Sequence, residues 1–174
     1  MSARLNTVKF KTYTKRHEAY VNAVLDRIAV FYGHRLVALA VYGSFARGEN
    51  RKDSDLDLFI ILRDAPKMSF RIAEFVEQVE MPVEPLGQAL FEKDGIHCDP
   101  SPYILTAEEA RNIQPIYYDF VEHLAVALDP EGLIDRIVGA VRTWLDSVGG
   151  AKIRRNNTIE WQTKRVGFPG EVRL

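Results

Sequence analysis

The chain has 174 residues, with 23 basic against 24 acidic side chains and a net charge of −1 at pH 7. This balance excludes a globally cationic surface for nucleic acid or membrane, and 47% hydrophobic residues exclude a disordered chain. One cysteine, Cys98, forms no internal disulfide. With no apolar signal core at the N-terminus and no uncharged apolar run of spanning length, a soluble, cytoplasmic protein without membrane contact is expected.

Residues 14–33 are predicted as a helix, because Tyr20, Val24, Ile28 and Phe31 recur at helical spacing, with Val21, Leu25 and Tyr32 beside them and Gly33 as a stop. The run LVALAVY at 36–42 predicts a buried strand. Gly43 to Ser54 reads as turn, short helix and loop, and 56–62 as the next strand. After Pro66 a helix over about 67–80 is expected, with Phe70, Ala73, Phe75, Val76 and Val79 as its apolar set. Residues 83–93 suggest a short helix ending near Gly95. Residues 96–105 read as a strand that Pro100 and Pro102 confine to a sheet edge. Thr106 and Glu109 have capping-box spacing. Two helical stretches are expected at about 115–128 and 131–147, separated by Asp129-Pro130, with Gly149-Gly150 ending the second. The segment 150–174 carries six basic residues (Lys152, Arg154, Arg155, Lys164, Arg165, Arg173) against Glu160 and Glu171. Asn156-Asn157 suits a hairpin turn, with Trp161 on its second strand. The organisation expected is a domain over 1–106 and a helical C-terminal region over 107–174 with a small basic tail, packed as one unit.

The segment Val41 to Ile61, VYGSFARGENRKDSDLDLFII, carries the chemistry. A Gly-Ser turn after an apolar strand presents backbone N–H groups that attract phosphate oxygens. Gly43 lets a triphosphate approach the backbone, Ser44 adds a hydroxyl, Arg47 adds a charge, and Gly48 releases the chain from the short helix. Asp55 and Asp57 lie two apart on a strand and share a face. Magnesium prefers one or two carboxylates together with phosphate oxygens. The combination suits attack on an α-phosphate with pyrophosphate leaving. An Asp-x-Asp alone more often marks solvated strand-end charges, and Gly-Ser alone is an ordinary turn; their joint order is what is specific. His97, Cys98 and Asp99 adjoin one another, but no second ligand pair with zinc-like spacing exists. Tyr117, Tyr118 and Trp144 read as core or dimer surface.

Gly43-Ser44-Phe45-Ala46-Arg47-Gly48 followed by Ser54-Asp55-Leu56-Asp57 resembles the signature of the DNA polymerase β-like nucleotidyltransferase superfamily, and within it the minimal prokaryotic nucleotidyltransferases. The resemblance implies an α/β (α+β) fold: a mixed sheet with helices packed on one side, here with a helical C-terminal extension. It implies Gly43 and Ser44 as triphosphate contacts, with Arg47 and Ser54 in the nucleotide site, and Asp55 and Asp57 as Mg2+ ligands. It implies a third carboxylate on a later strand that binds metal and acts as base, for which Asp99 is the candidate. The expected function is Mg2+-assisted transfer of a nucleoside monophosphate from an NTP, ATP first, to a hydroxyl acceptor. A non-catalytic antitoxin-like module paired with a small helical partner protein is the alternative, and a nucleic-acid binder led by the basic tail comes third. A homodimer through the C-terminal helices is also open.

Overall fold

The computed structural model describes residues 5–155 and 158–164. Helix α1 (Lys15–Tyr32) leads through one tight turn into β1 (Leu36–Val41), and α2 (Gly43–Arg47) and a loop join β1 to β2 (Leu56–Leu62). Helices α3 (Met68–Phe75) and α4 (Met81–Asp94) precede β3 (Pro100–Thr106). A short helix α5 (Tyr117–Phe120), strand β4 (Ala125–Leu128), helix α6 (Leu133–Ser147) and the hairpin β5 (Ala151–Arg155) and β6 (Thr158–Gln162) complete the order.

The main sheet has the order β3-β2-β1-β4. Strands β1 and β2 are antiparallel, β1 and β4 antiparallel, and β2 and β3 parallel. The sheet is therefore mixed, as expected. All six residues of β1 are buried, which is why it reads as a continuous apolar run. On one face Leu39, Val41, Leu58 and Ile60 pack with Val21, Val24 and Ile28 of α1 and with Phe75, Val79 and Leu90. On the other, Ala38, Ala40, Phe59 and Ile61 pack with Tyr117, Phe120 and the Ile134, Ile137 and Val141 stripe of α6. Each fully buried Val, Leu or Ile adds roughly 1.5–3 kcal/mol of transfer free energy. Helices α1, α3 and α4 share one side of the sheet, and the helical C-terminal extension covers the other.

The start of α1 is set by Thr14, whose hydroxyl accepts the His17 amide at 3.1 Å. Helices α3 and α4 are one bent stretch joined by a π-turn over Val76–Glu80. The cause is proline: Pro82 has no N–H for the Gln78 carbonyl, and Arg27 Nε donates to that carbonyl instead at 2.7 Å. The break expected between 80 and 83 is thus a bend. Phe70 and Val76, assigned to the apolar set, lie on the exposed side at 62% and 38%, while Phe75 and Val79 are buried.

Strand β3 is an edge strand, as its prolines predict. The Asp99 carbonyl accepts the Leu56 amide at 2.8 Å, so odd-numbered residues turn their backbone groups toward β2. Pro100 and Pro102 then face outward, where a missing N–H breaks no ladder bond. The capping box forms: Thr106 Oγ1 accepts the Glu109 amide at 3.1 Å and a Glu109 carboxylate oxygen accepts the Thr106 amide at 2.8 Å.

The expected helix over 115–128 is not formed as such. Only four residues are helical, and Ala125–Leu128 pair with β1 as β4. Sheet pairing for this short apolar run outweighs its local helical spacing. The hairpin β5–β6 forms, with Trp161 opposite Lys152 on β6. Its turn residues Asn156 and Asn157, and the charges Arg165, Glu171 and Arg173, lie outside the described residues.

Candidate functional site

Strand β1 delivers Tyr42, Gly43 and Ser44 to the end of the sheet where β2 begins. The Tyr42 amide donates to the Asp57 carbonyl at 3.0 Å, which locks the turn to β2. Gly43 has φ of +66°, a conformation that L side chains rarely adopt. A Cβ placed on Gly43 would collide with Asp57 Oδ2 and stand 2.9 Å from its Cγ. The carboxylate of Asp57 therefore lies directly against the bare backbone of the turn. Gly48, at φ of +68°, ends α2 in the left-handed conformation as expected.

Asp57 is half-buried and Asp55 is exposed. Burial first, and then the charge of Asp55, raise the Asp57 carboxyl above its ordinary value, while Arg47 pulls it down. The structure thus brings Asp55, Asp57 and Arg47 into one electrostatic group beside Gly43. Arg47 also donates to Glu49 at 2.9 Å. Ser44 follows Gly43 at the turn, and its carbonyl accepts the Glu49 amide at 2.9 Å. Ser54 is placed differently: its hydroxyl accepts the Arg51 amide at 2.9 Å, closing the loop that leads into Asp55.

Asp99 lies just before β3, beside Asp55 across the parallel pair. Its side chain is exposed, with His97 Nε2 at 3.6 Å. Its charge acts on Tyr20, Glu80 and Cys98, and not among the groups that shift Asp57. The β3 residue in register with Asp57 is Ser101, and the one opposite Phe59 is Tyr103. Among the described residues, no three His, Cys, Asp or Glu side chains come close enough to share a metal ion. His97, Cys98 and Asp99 accordingly form no zinc site, and Cys98 is a buried thiol whose pKa burial pushes up to about 12.

The donor set at Asp55 and Asp57 fits a hard divalent cation. Two like charges stand together, one of them partly desolvated, next to a turn with no side chain in the way. An N-terminal strap braces the loop behind it. Lys11 Nζ and Tyr13 Oη both donate to the Asn50 carbonyl, at 3.1 and 2.8 Å, and Asn50 Nδ2 donates back to the Lys11 carbonyl at 3.0 Å. These residues escaped the sequence reading, since nothing local links positions 11–13 to position 50.

The basic C-terminal segment is partly neutralised by its surroundings. Lys152 Nζ donates to Glu122 at 2.6 Å and lies 5.9 Å above the Trp161 ring. Trp161 Nε1 donates to Asp119 at 3.4 Å. Tyr118 and Trp144 stack at 5.4 Å, which ties the helical extension together. No helix among the described residues is long and apolar enough to cross a membrane.

The family model of the nucleotidyltransferase domain matches residues 23–113, more than half of the chain. No curated protein matches it. Among solved structures, a toxin–antitoxin with AMP-PNP is similar, at 13% identity over 74% of this chain and 91% of that one, with a TM-score of 0.42. Two mutants of the toxin–antitoxin MntA-HpeT are similar at 12% identity, over 75% and 79% of this chain and 86% and 94% of theirs, each with a TM-score of 0.40.

Proposed function

The chain belongs to the nucleotidyltransferase domain family, and from that premise we propose that it transfers a nucleoside monophosphate from a nucleoside triphosphate, ATP first, to a hydroxyl acceptor with Mg2+. The observation that carries this reading is the contact of the Asp57 carboxylate with the Cβ-less turn at Gly43. Asp55 and Asp57 are the residues that would hold Mg2+. When bound, the cation neutralises charge on the phosphates and polarises the reacting phosphoryl group. The Gly43–Ser44 turn orients the triphosphate through backbone amides and the Ser44 hydroxyl, with Arg47 adding a positive charge. Ser54 shapes the loop that delivers Asp55. Asp99, at the strand end beside Asp55, would accept the proton of the incoming hydroxyl. Positioning and charge neutralisation supply most of the acceleration in such a reaction.

The test is Mg2+-dependent release of pyrophosphate. Replacing both Asp55 and Asp57 with Asn is expected to lower it by about 10³-fold. Unchanged turnover in that double variant removes the proposal. A second reading, a nucleotide-binding module that works with a protein partner and turns over poorly, is favoured by Ser101 occupying the β3 position beside Asp57. Exposed Met68, Phe70 and Met81 on the bent helix support such a partner. Tight Mg–ATP binding with no nucleotide transfer to any alcohol, RNA end or protein hydroxyl decides for it.

A further inference from the structure

Helix α2 carries Gly43, Ser44 and Arg47, the residues read above as the grip on a triphosphate, and it is only five residues long. A helix this short does not hold its own conformation in water. Its geometry comes from what it packs against. Its buried residue is Phe45, which joins the core that α1 forms with the sheet. Two rings meet Phe45 edge-to-face: Phe10 of the N-terminal strap at 6.1 Å and His17 of α1 at 5.8 Å.

Just beyond α2, the same strap takes hold of Asn50. Lys11 and Tyr13 donate to its carbonyl, and its side-chain amide donates back to the Lys11 carbonyl. Phe45 and Asn50 are therefore two handles, one inside the short helix and one after it, both held by residues 10–17. The strap is itself pinned at two points. The Asn6 amide donates to the Ala127 carbonyl on β4 at 2.8 Å, and Thr14 caps α1 and donates to Asp94 at 3.0 Å. Between those points Val8 and Phe10 pack against the core.

The independent observation is how this clamp is built. His17 and Asn50 are both fully buried. The imidazole lies parallel to the Tyr13 ring at 6.0 Å, and its Nδ1 accepts the Tyr13 amide at 3.4 Å. Yet His17 Nε2 and Asn50 Oδ1 have no hydrogen-bond partner among the described residues. Buried polar atoms of this kind lower stability, and apolar side chains of similar shape would not. Such local conflicts are expected where the placement of a functional segment matters more than stability.

We propose that the N-terminal strap is a positioning element for the nucleotide. Tyr13 and Lys11 hold Asn50, Phe10 and His17 hold Phe45, and together they set the Gly43–Ser44 turn where a triphosphate meets it. The inference rests on the nucleotidyl-transfer reading of that turn. These side chains act through α2 and the loop behind it, as positioning residues and not as catalytic ones. Coupling of this kind is reciprocal, so a bound triphosphate also secures the strap.

The test uses the full chain and Mg–ATP. Tyr13→Phe keeps the ring on His17 and removes one donor to the Asn50 carbonyl. Asn50→Ala removes the bond returned to Lys11. By calorimetry, Mg–ATP affinity is about tenfold weaker in Asn50→Ala and several-fold weaker in Tyr13→Phe. Ile137→Val, on the other face of the sheet, is the control: it lowers the melting temperature by a similar amount and leaves the affinity unchanged. Trypsin gives the reciprocal readout. Lys9 and Lys11 are exposed on the strap, and saturating Mg–ATP slows cleavage after them in wild type and less so in Asn50→Ala. Should Asn50→Ala not fold, Tyr13→Phe decides, because its ring packing is intact. Wild-type affinity in the strap variants overturns the proposal, as does an equal loss in Ile137→Val. Cleavage after Lys9 and Lys11 at one rate with and without Mg–ATP overturns it too. Wild-type protein that binds no Mg–ATP removes the nucleotidyl-transfer reading and this proposal with it. Wild-type protein that binds, with strap variants that bind equally well, removes this proposal alone.

Discussion

Strands β2 and β3 run side by side, and their two ends treat carboxylates in opposite ways. At the starting end, Asp55 and Asp57 stand together beside Gly43, and burial and mutual repulsion raise the Asp57 carboxyl. At the finishing end, where Leu62 pairs with Thr106, Glu109 is gripped by both guanidinium nitrogens of buried Arg71 at 2.6 and 3.0 Å and by the Thr106 amide. Those bonds hold its carboxyl below the usual range. One end keeps two like charges side by side with Arg47 as a partial counter-charge, and the other is internally neutralised. The same residue type marks a candidate site in one place and a clasp between α3 and β3 in the other. Compensation, more than acidity, tells them apart.

The sharpest way to break this contrast is Gly43→Ala. The added Cβ meets the Asp57 carboxylate in a left-handed backbone conformation, so pyrophosphate release is expected to fall by about 10³-fold. Glu109→Ala attacks the other end. It strands the buried Arg71 charge and opens the capping box, and denaturant unfolding is expected to show a loss of about 3 kcal/mol. The pH dependence separates the two carboxylates by sign. Asp57, raised in the fold, favours the native state at pH below the ordinary carboxylate range, and that advantage is lost as pH rises through its folded pKa. The apo Asp57→Asn protein is therefore expected to be the more stable at neutral pH, with the gap closing on acidification. Glu109, lowered in the fold, stabilises above the ordinary range, and its contribution disappears as pH falls through its folded pKa. Titrating unfolding of wild type, Asp57→Asn and Glu109→Gln at several pH values reads both signs. The smallest effect is expected from Ser101→Asp, which sets a carboxylate in register with Asp57. Mg2+ binding by calorimetry should tighten a few-fold, and no change would mean that this face of β3 does not contribute to the metal site.

Much of this arrangement was legible in the chain. The apolar runs at 36–42 and 56–62 contain the strands Leu36–Val41 and Leu56–Leu62, buried except at Asp57, for which continuous hydrophobicity is a strong local signal, and Gly43, Asp55 and Asp57 lie at their shared end. The capping box at Thr106 could be read because both partners lie within one turn. What was not legible depends on distant partners. Ala125–Leu128 becomes a strand only because β1 offers an edge. Pro82 reads as a break, but Arg27 from another helix takes the freed carbonyl and turns the break into a bend. Arg71 and Glu109 are 38 positions apart, and no periodicity announces their pairing. Tyr20 and Gly87 meet across two helices, a close approach that no one-dimensional reading shows.

The outward row of β3 has a consequence for what can grow on this molecule. Two successive outward positions, Pro100 and Pro102, offer no amide, and the next outward carbonyl, Ile104, already accepts from Arg71 at 3.3 Å. At the opposite border the Asn6 amide donates to the Ala127 carbonyl at 2.8 Å. Among the described residues, each flank of the main sheet thus presents an interrupted hydrogen-bonding row to a foreign β-segment, without gatekeeper lysines.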